Sequence, residues 1–276
     1  MKLINIGCGR VYHSAWINID ANPASEDIAK HDVTSGLPFD CSSFDACYCS
    51  HLLEHLTTDE AHFLLTEIHR ILKPGGIFRV VVPDLENIAQ GYLKALEQAV
   101  SNKDITEKNL NYEWMVLELV DQMVRDSSGG IMGCFLKNCP DYLRPFVLSR
   151  IGNEAEQFWK IQKNAENIFV RLNDMPVWWF IEKFKFYLIC CLAWLIGGRR
   201  GFRAFKEGWF RTSGEVHRWM YDRFSLGKLL ENACFENVII CKPGISQIPE
   251  FEKYDFEIYS GSIRKPDSLF MEGSRK

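Results

Sequence analysis

Gly7-Cys8-Gly9 closes the short apolar run Leu3 to Ile6, and a second run, Trp16 to Ile19, ends on Asp20. Glycines carry no Cβ, so a turn built from them lets a ligand lie against the main chain at the end of a strand. A carboxylate just beyond it can accept hydrogen bonds from two vicinal hydroxyls, the pair a ribose presents. Asp20 follows Gly9 by 11 positions, whereas a dinucleotide site places its acid about 20 residues on, behind a helix whose N-terminus holds pyrophosphate. Arg10 to Ala15 is too short for that helix. The spacing disfavours NAD and FAD and tolerates a nucleoside without phosphate. Asp32-Val33 ends another short run, Ile28 to Val33, where the carboxylate or its neighbouring amide can bond the edge of an adenine and Val33 can pack on its face.

The elements that must position these residues alternate. Phe44 to Cys49 reads as a strand ending at Ser50-His51. Thr57 and Thr58 before Asp59 and Glu60 start a helix whose stripe is Ala61, Leu64, Leu65, Ile68, Ile71 and Leu72. Lys73-Pro74-Gly75-Gly76 stops it, and Ile77 to Val82 is a continuous apolar run suited to the centre of a parallel sheet. The expected fold class is α/β, a doubly wound, mostly parallel sheet.

Asn5-Ile-Gly-Cys-Gly9, Trp16-Ile-Asn-Ile-Asp20, Leu37-Pro-Phe39, Ser43-Phe-Asp45, His51-Leu-Leu-Glu-His-Leu56 and Leu72-Lys-Pro-Gly-Gly76 with Val80 to Asp84 occur in this order over roughly residues 1 to 86. Together they resemble the class I S-adenosylmethionine-dependent methyltransferases, type-11-like branch, with a Rossmann-like core. The resemblance implies S-adenosyl-L-methionine as cofactor, with Gly7, Cys8 and Gly9 at its methionine part, Asp20 at the ribose, Asp32 and Val33 at the adenine, and Ser50-His51 at the cofactor's edge beside the substrate. The shortened first loop departs from the family pattern, and Arg10 is the compensating candidate for the methionine carboxylate.

His51-x-x-Glu54-His55 also matches an inverted zinc-protease pattern. That chemistry needs both histidines on one face of a continuous helix, and here the helix start comes later, at Thr57 and Thr58. A magnesium site would miss a hard oxygen ligand at His51. We therefore expect no metal.

From Asn87 to Thr212 the patterning is helical and too long for a loop, so the expected organisation is a core of residues 1–86 and 214–276 interrupted by a helical insertion, 87–213. Six of the eight tryptophans fall in this middle region. Within it, Glu113 to Arg125 reads as one amphipathic helix. Phe186 to Ile196 is uninterrupted apolar sequence, preceded by Trp178, Trp179, Phe180 and Phe184 and followed by Arg199, Arg200, Arg203, Lys206 and Arg211. As a helix, Phe186 to Gly198 reaches about 20 Å, short of the ~30 Å hydrocarbon core. Two readings stay open for 177–211: a helix in a membrane interface beside anionic head groups, or a buried helix with a solvated basic end. His217-Arg-Trp-Met-Tyr-Asp222, Arg264 to Phe270 and Asp121 to Arg125 resemble a subgroup of type-11-like enzymes associated with surface-polysaccharide and lipopolysaccharide biosynthesis.

In 276 residues, 36 Asp+Glu against 32 Lys+Arg give a net charge of -4, which provides no general attraction to nucleic acid. Ten cysteines without a C-x-x-C pair suit a reduced, cytoplasmic protein, and Met1 to Gly9 does not read as a signal peptide. The expected reaction moves a methyl group to an oxygen, or a nitrogen, of a glycan or lipid-linked sugar, on the inner face of the membrane if 177–211 touches it. His217, His51 and Asp84 are the candidate bases, in that order. The alternatives are a small-molecule or lipid O-methyltransferase, a non-catalytic cofactor-binding protein at the membrane, and a metal-dependent hydrolase on the histidine cluster.

Overall fold

The computed structural model describes residues 1–101, 106–164 and 177–276. Its centre is a seven-stranded sheet: β1 (Leu3–Ile6), β2 (Ile17–Asp20), β3 (Ile28–Lys30), β4 (Phe44–Ser50), β5 (Leu72–Pro83), β6 (Phe235–Ile240) and β9 (Ser268–Arg275), in the order β3-β2-β1-β4-β5-β9-β6. The pairings among β1 to β5 are parallel, while β9 is antiparallel to both β5 and β6. A small ribbon, β7 (Ile258–Tyr259) with β8 (Ser262–Ile263), lies outside this sheet. The doubly wound, mostly parallel α/β fold is the expected one.

Between β4 and β5 runs α1 (Thr58–Ile71), started by a capping box between Thr57 and Glu60 and burying Ala61, Leu64, Leu65, Ile68 and Ile71 against the sheet. Two local expectations change. β5 begins at Leu72, directly after the helix, and Lys73 to Gly76 form an irregularity in its pairing with β4 instead of a separate stop. The strand expected over Ile28 to Val33 ends at Lys30, because the Asp32 carboxylate accepts from the Thr34 amide at 3.0 Å and curls the chain into a single 3-10 turn, Val33–Ser35.

No helix forms between β1 and β2. An aromatic cluster covers that face instead: Trp16 packs edge-on against Tyr48, Phe251, Tyr254 and Phe256. The segment bearing the last three rings is tied down by Arg79 on β5, fully buried, which donates to Glu257 through Nε and Nη2 at 2.6 and 2.7 Å and to Glu272 through Nη1 at 2.7 Å.

Helices follow β5: α2 (Leu85–Ser101), α3 (Thr106–Val124), α4 (Gly130–Lys137), α5 (Arg144–Ile151) and α6 (Asn153–Asn164). α3 is longer at its start than the amphipathic stretch the sequence marks. These helices share a core of their own around Trp114, Met115, Val147 and Trp159. α7 (Val177–Arg211) breaks at Gly198, where φ is 57° and ψ is -153°. Phe186 meets Phe205 and Trp209, so the two arms fold back on each other as a hairpin. α8 (Arg223–Asn232) then returns the chain to the sheet core through Leu226 and Leu230.

Candidate active site

In the sheet order β1 stands between β2 and β4, so the chain's connections diverge there and leave a crevice at the carboxyl ends of β1 and β4. Gly7 and Gly9 take φ of +67° and +54°, the left-handed region that glycine adopts without strain. A Cβ at Gly9 would meet nothing within 4 Å, so the space over this turn is open to a ligand. The turn is held by Asp20, whose Oδ2 accepts from the Gly9 amide at 2.8 Å and whose Oδ1 accepts from the Asn22 amide at 2.7 Å. A cavity of about 320 Å³ lies against it, lined by Gly7, Cys8, Gly9 and Arg10 on one side, Ser50 and His51 at the end of β4, and Glu154 and Lys265 opposite. Burial pushes the Cys8 thiol up to about 12, so it stays protonated. Asp20 reaches this cavity only through Gly9. Asp32 and Val33 do not line it: Asp32 caps its 3-10 turn and Val33 is buried in the core.

A second cavity, about 240 Å³, lies between the sheet and the helices, lined by His55, Gln122, Arg125, His217 and Asp267. His51, Glu154 and Lys265 line both cavities, so the two meet there. Glu154 and Lys265 form an ion pair at 3.5 Å on this shared wall. His51 takes φ of +52°, its Nε2 lies 2.9 Å from Ser268 Oγ, and its Nδ1 lies 3.0 Å from Glu54 Oε1. Burial pushes its pKa down despite Glu54, so the imidazole is neutral and fixed in orientation.

The three candidate bases separate. His217 lines the second cavity, but burial lowers it to about 3, which makes it a weak base. His51 stands at the junction. Asp84 lines neither of these cavities and caps α2, its Oδ1 accepting from the Glu86 and Asn87 amides at 3.0 and 3.3 Å. The group that sequence reasoning passed over is Asp267. It is 6% exposed, faces the second cavity, and burial raises its carboxyl to about 7, with Glu118 and Glu154 adding to the effect against Lys265 and Arg150. Its signal was its place: the last residue before β9, whose carbonyl accepts from the Asp84 amide at 2.9 Å and so holds it beside the end of β5.

Beside this cavity Glu54, His55 and His217 bring one ligand atom each within 4.8 Å of one another. The continuous helix of a zinc-protease site is absent, since Leu53–His55 is a 3-10 turn. The convergence comes instead from His217, supplied by the segment that precedes α8.

Two curated methyltransferases resemble part of the chain: a probable methyltransferase of Arabidopsis thaliana, 36% identical over 80 residues, and an uncharacterized methyltransferase of Synechocystis, 32% identical over 97 residues. The matches take in 28% and 29% of this chain but 13% and 46% of those proteins, so the chain spans less than half the length of either relative. A solved S-adenosylmethionine-dependent methyltransferase of Thermotoga maritima aligns over 100% of this chain and 82% of its own, with 12% identity and a TM-score of 0.40. Another, from Archaeoglobus fulgidus, aligns over 43% and 60%, with 19% identity and a TM-score of 0.27. Residues 4–80, the stretch that carries the glycine turn, Asp20, Ser50 and His51, match the family model for a methyltransferase domain, and S-adenosylmethionine is the cofactor such a domain implies.

Proposed function

We propose that the chain transfers a methyl group from S-adenosylmethionine to a hydroxyl oxygen of a glycan or lipid-linked sugar. The observation that carries this reading is the pair of cavities meeting at His51, Glu154 and Lys265. One lies against a glycine turn in the matched domain, and the other carries a polar wall and is bordered by residues of the helices that follow β5. The first suits a nucleoside joined to an amino acid. The turn is open above Gly9, and the Asp20 carboxylate retains lone pairs beyond those its two amide donors use. Glu154 offers an acid to an ammonium group, and Arg10 or Lys265 a base to a carboxylate. When bound, the cofactor supplies an electrophilic methyl on a sulfonium. The chain's own work is to hold the acceptor in line, exclude water and take the hydroxyl proton. Asp267 is the residue for the last task, because a carboxyl near 7 can both accept and release a proton at neutral pH. A polar wall of Gln122, Arg125, Glu215 and Asp267 favours an acceptor rich in hydroxyls.

The hairpin supports a lipid-linked acceptor. Its first arm turns Phe184, Leu188, Leu192 and Leu195 outward at spacings of four and three residues, at 69, 50, 47 and 70% exposure. The opposite side is covered by the second arm, which comes so close that a Cβ at Gly201 would lie 2.6 Å from the Ala193 carbonyl oxygen. Val177–Arg211 carries seven basic residues against two acids in a chain of net charge -4. Both acids are paired within the hairpin, Glu182 to Lys185 and Glu207 to Arg211. An anionic bilayer surface matches an apolar stripe with a basic surplus beside it. A third cavity, about 410 Å³, lies at the base of the hairpin and shares Glu215 with the second. No helix among the described residues is long and apolar enough to cross a membrane. The Trp178 and Trp179 side chains lie outside the described residues.

The test is transfer of isotopic label from S-adenosylmethionine into the lipid-glycan fraction of a cell extract by the purified chain. Label in that fraction, lost with Asp267→Asn, is the expected result. Label confined to amines or to protein would replace the acceptor assignment. Absence of cofactor binding by calorimetry, in folded protein, would remove the methyltransferase reading itself.

A further inference from the structure

Three buried side chains at or behind the second cavity carry a polar atom without a hydrogen-bond partner, and one of them, His217, lines it. Glu54 is fully buried, its Oε1 lies 3.0 Å from His51 Nδ1, and its Oε2 has no hydrogen-bond partner. His217 is 5% exposed and its Nδ1 has no partner. Tyr221, buried nearby, has an unpartnered hydroxyl. A buried carboxylate with an unsatisfied oxygen is costly, and natural structures pair such groups fully or give them a cation. Glu54, His55 and His217 converge on one point, their ligand atoms within 4.8 Å of one another, and the two rings stand edge to face at 4.7 Å.

We propose that Glu54, His55 and His217 bind a divalent transition-metal ion at the wall of the second cavity. One carboxylate oxygen and two imidazole nitrogens form a mixed donor set that suits zinc, manganese, iron or cobalt, whereas magnesium and calcium prefer oxygen throughout. Bonds of about 2.0–2.1 Å hold ligand atoms roughly 3 Å apart, so the three side chains need to draw in by about an ångström. The backbone already fixes two of them: the Arg218 and Trp219 amides both donate to the Glu54 carbonyl, which locks the segment bearing His217 onto the turn bearing Glu54 and His55. His51, 3.0 Å from Glu54 Oε1 but outside the trio, is placed to orient the carboxylate as a supporting residue does.

Because His55 and His217 both line the cavity, the ion's remaining positions face whatever occupies it. A hydroxyl oxygen of the acceptor is the ligand expected there, with the ion acting as a Lewis acid that makes its proton easier to remove. This last step rests on the second cavity being the acceptor site, while the metal site itself does not.

The experiment is a titration of chelator-treated, full-length protein with cobalt(II), followed by visible absorption and by melting temperature, without cofactor or acceptor. One equivalent is expected to bind, with the absorption of a low-symmetry nitrogen–oxygen site and a raised melting temperature. His55→Asn, at a half-buried position, and His217→Gln should each weaken binding by more than the roughly 10–100-fold that supporting residues cost. His51→Asn should weaken it less. Folded wild-type protein that takes up no cobalt, zinc or manganese overturns the proposal, as does binding unchanged in both His55→Asn and His217→Gln. A metal bound normally by a protein that transfers no methyl group would leave this site standing and remove the methyltransferase reading alone.

Discussion

The same residue types point inward in one half of this molecule and outward in the other. In α1 and its strands, Leu64, Leu65, Ile68 and Val80 are completely buried. In the first arm of the hairpin, Leu195 and Ile196 are 70 and 88% exposed. Apolar sequence therefore reports a core in the first region and an unmet partner in the second. The two are separated by what surrounds them: caps, turns and alternating strands around the first, and a glycine break with a cluster of arginines around the second.

The largest effect that would sharpen this contrast lies where the halves meet. Asp267→Asn should lower the rate of methyl transfer by about 10²–10⁴-fold, the span usual for a general base. The wild-type rate should rise with pH through about 7 and level off above it, as the carboxyl gives up its proton. Stability runs the other way. A folded-state pKa raised above the unfolded value contributes stability below the unfolded pKa that is lost as pH rises through the folded one. The variant should therefore melt higher than wild type at pH 8 and close to it at pH 4. A loss of activity with no gain in melting temperature at pH 8 would make Asp267 an ordinary structural residue.

Next in size is a truncation in the sheet half. Leu64→Ala removes buried methyl groups from the sheet half and should cost about 2–5 kcal/mol in chemical denaturation. If it costs under 1 kcal/mol, the described core does not bear the fold.

Much of the sheet half was legible because its signals are local. Thr57 and Glu60 mark a helix start by their spacing, and Ala61 to Ile71 mark its buried face by periodicity. The turn at Gly7 to Gly9 needs no distant residue to be recognised. Asp267 was not legible because nothing in its neighbourhood announces burial. Its raised pKa comes first from burial, with Glu118 and Glu154 from two other helices adding to it, and its position depends on an antiparallel strand pairing with β5. The aromatic cover of Phe251, Tyr254 and Phe256 was missed for a related reason: it replaces an absent helix, and the buried Arg79 with Glu257 and Glu272, distant in sequence, helps hold it against Trp16 and Tyr48. The hairpin was half legible. Its apolar run and basic cluster were plain, but the reversal at Gly198 needs a backbone conformation that composition does not reveal. The adenine assignment to Asp32 and Val33 rested on a strand that ends earlier, at Lys30, and neither residue is among those lining the first cavity.

A smaller effect separates the cofactor end from the lipid end. Asp20→Ala removes the acceptor for two backbone amides and for any ribose hydroxyl, so cofactor affinity measured by calorimetry should fall by about 1–3 kcal/mol. Partition onto vesicles should be unchanged, because the cavity at the base of the hairpin and the cavity against the glycine turn share no lining residue. Loss of both together would mean that the variant had unfolded, which circular dichroism detects.

The smallest change in stability should come from the outward stripe, and it tests the contrast most directly. Leu195→Ser leaves the covered side of the hairpin intact and removes apolar surface that already faces water. Unfolding free energy should move by no more than about 0.5 kcal/mol, as exposed positions generally do. Co-sedimentation with vesicles containing anionic lipid should nevertheless weaken, further with Leu188→Ser and Leu192→Ser added. Replacing Arg199, Arg200 and Arg203 by Gln should weaken it through the electrostatic part alone, an effect that high salt mimics. Equal binding to neutral and anionic vesicles would remove the basic cluster from the argument. A concentration-dependent dimer, abolished by the three serines and indifferent to vesicles, would assign the stripe to a second copy of the chain. A stability loss of several kcal/mol from Leu195→Ser would mean that Leu195 is core after all, and that the two halves of the molecule use their leucines alike.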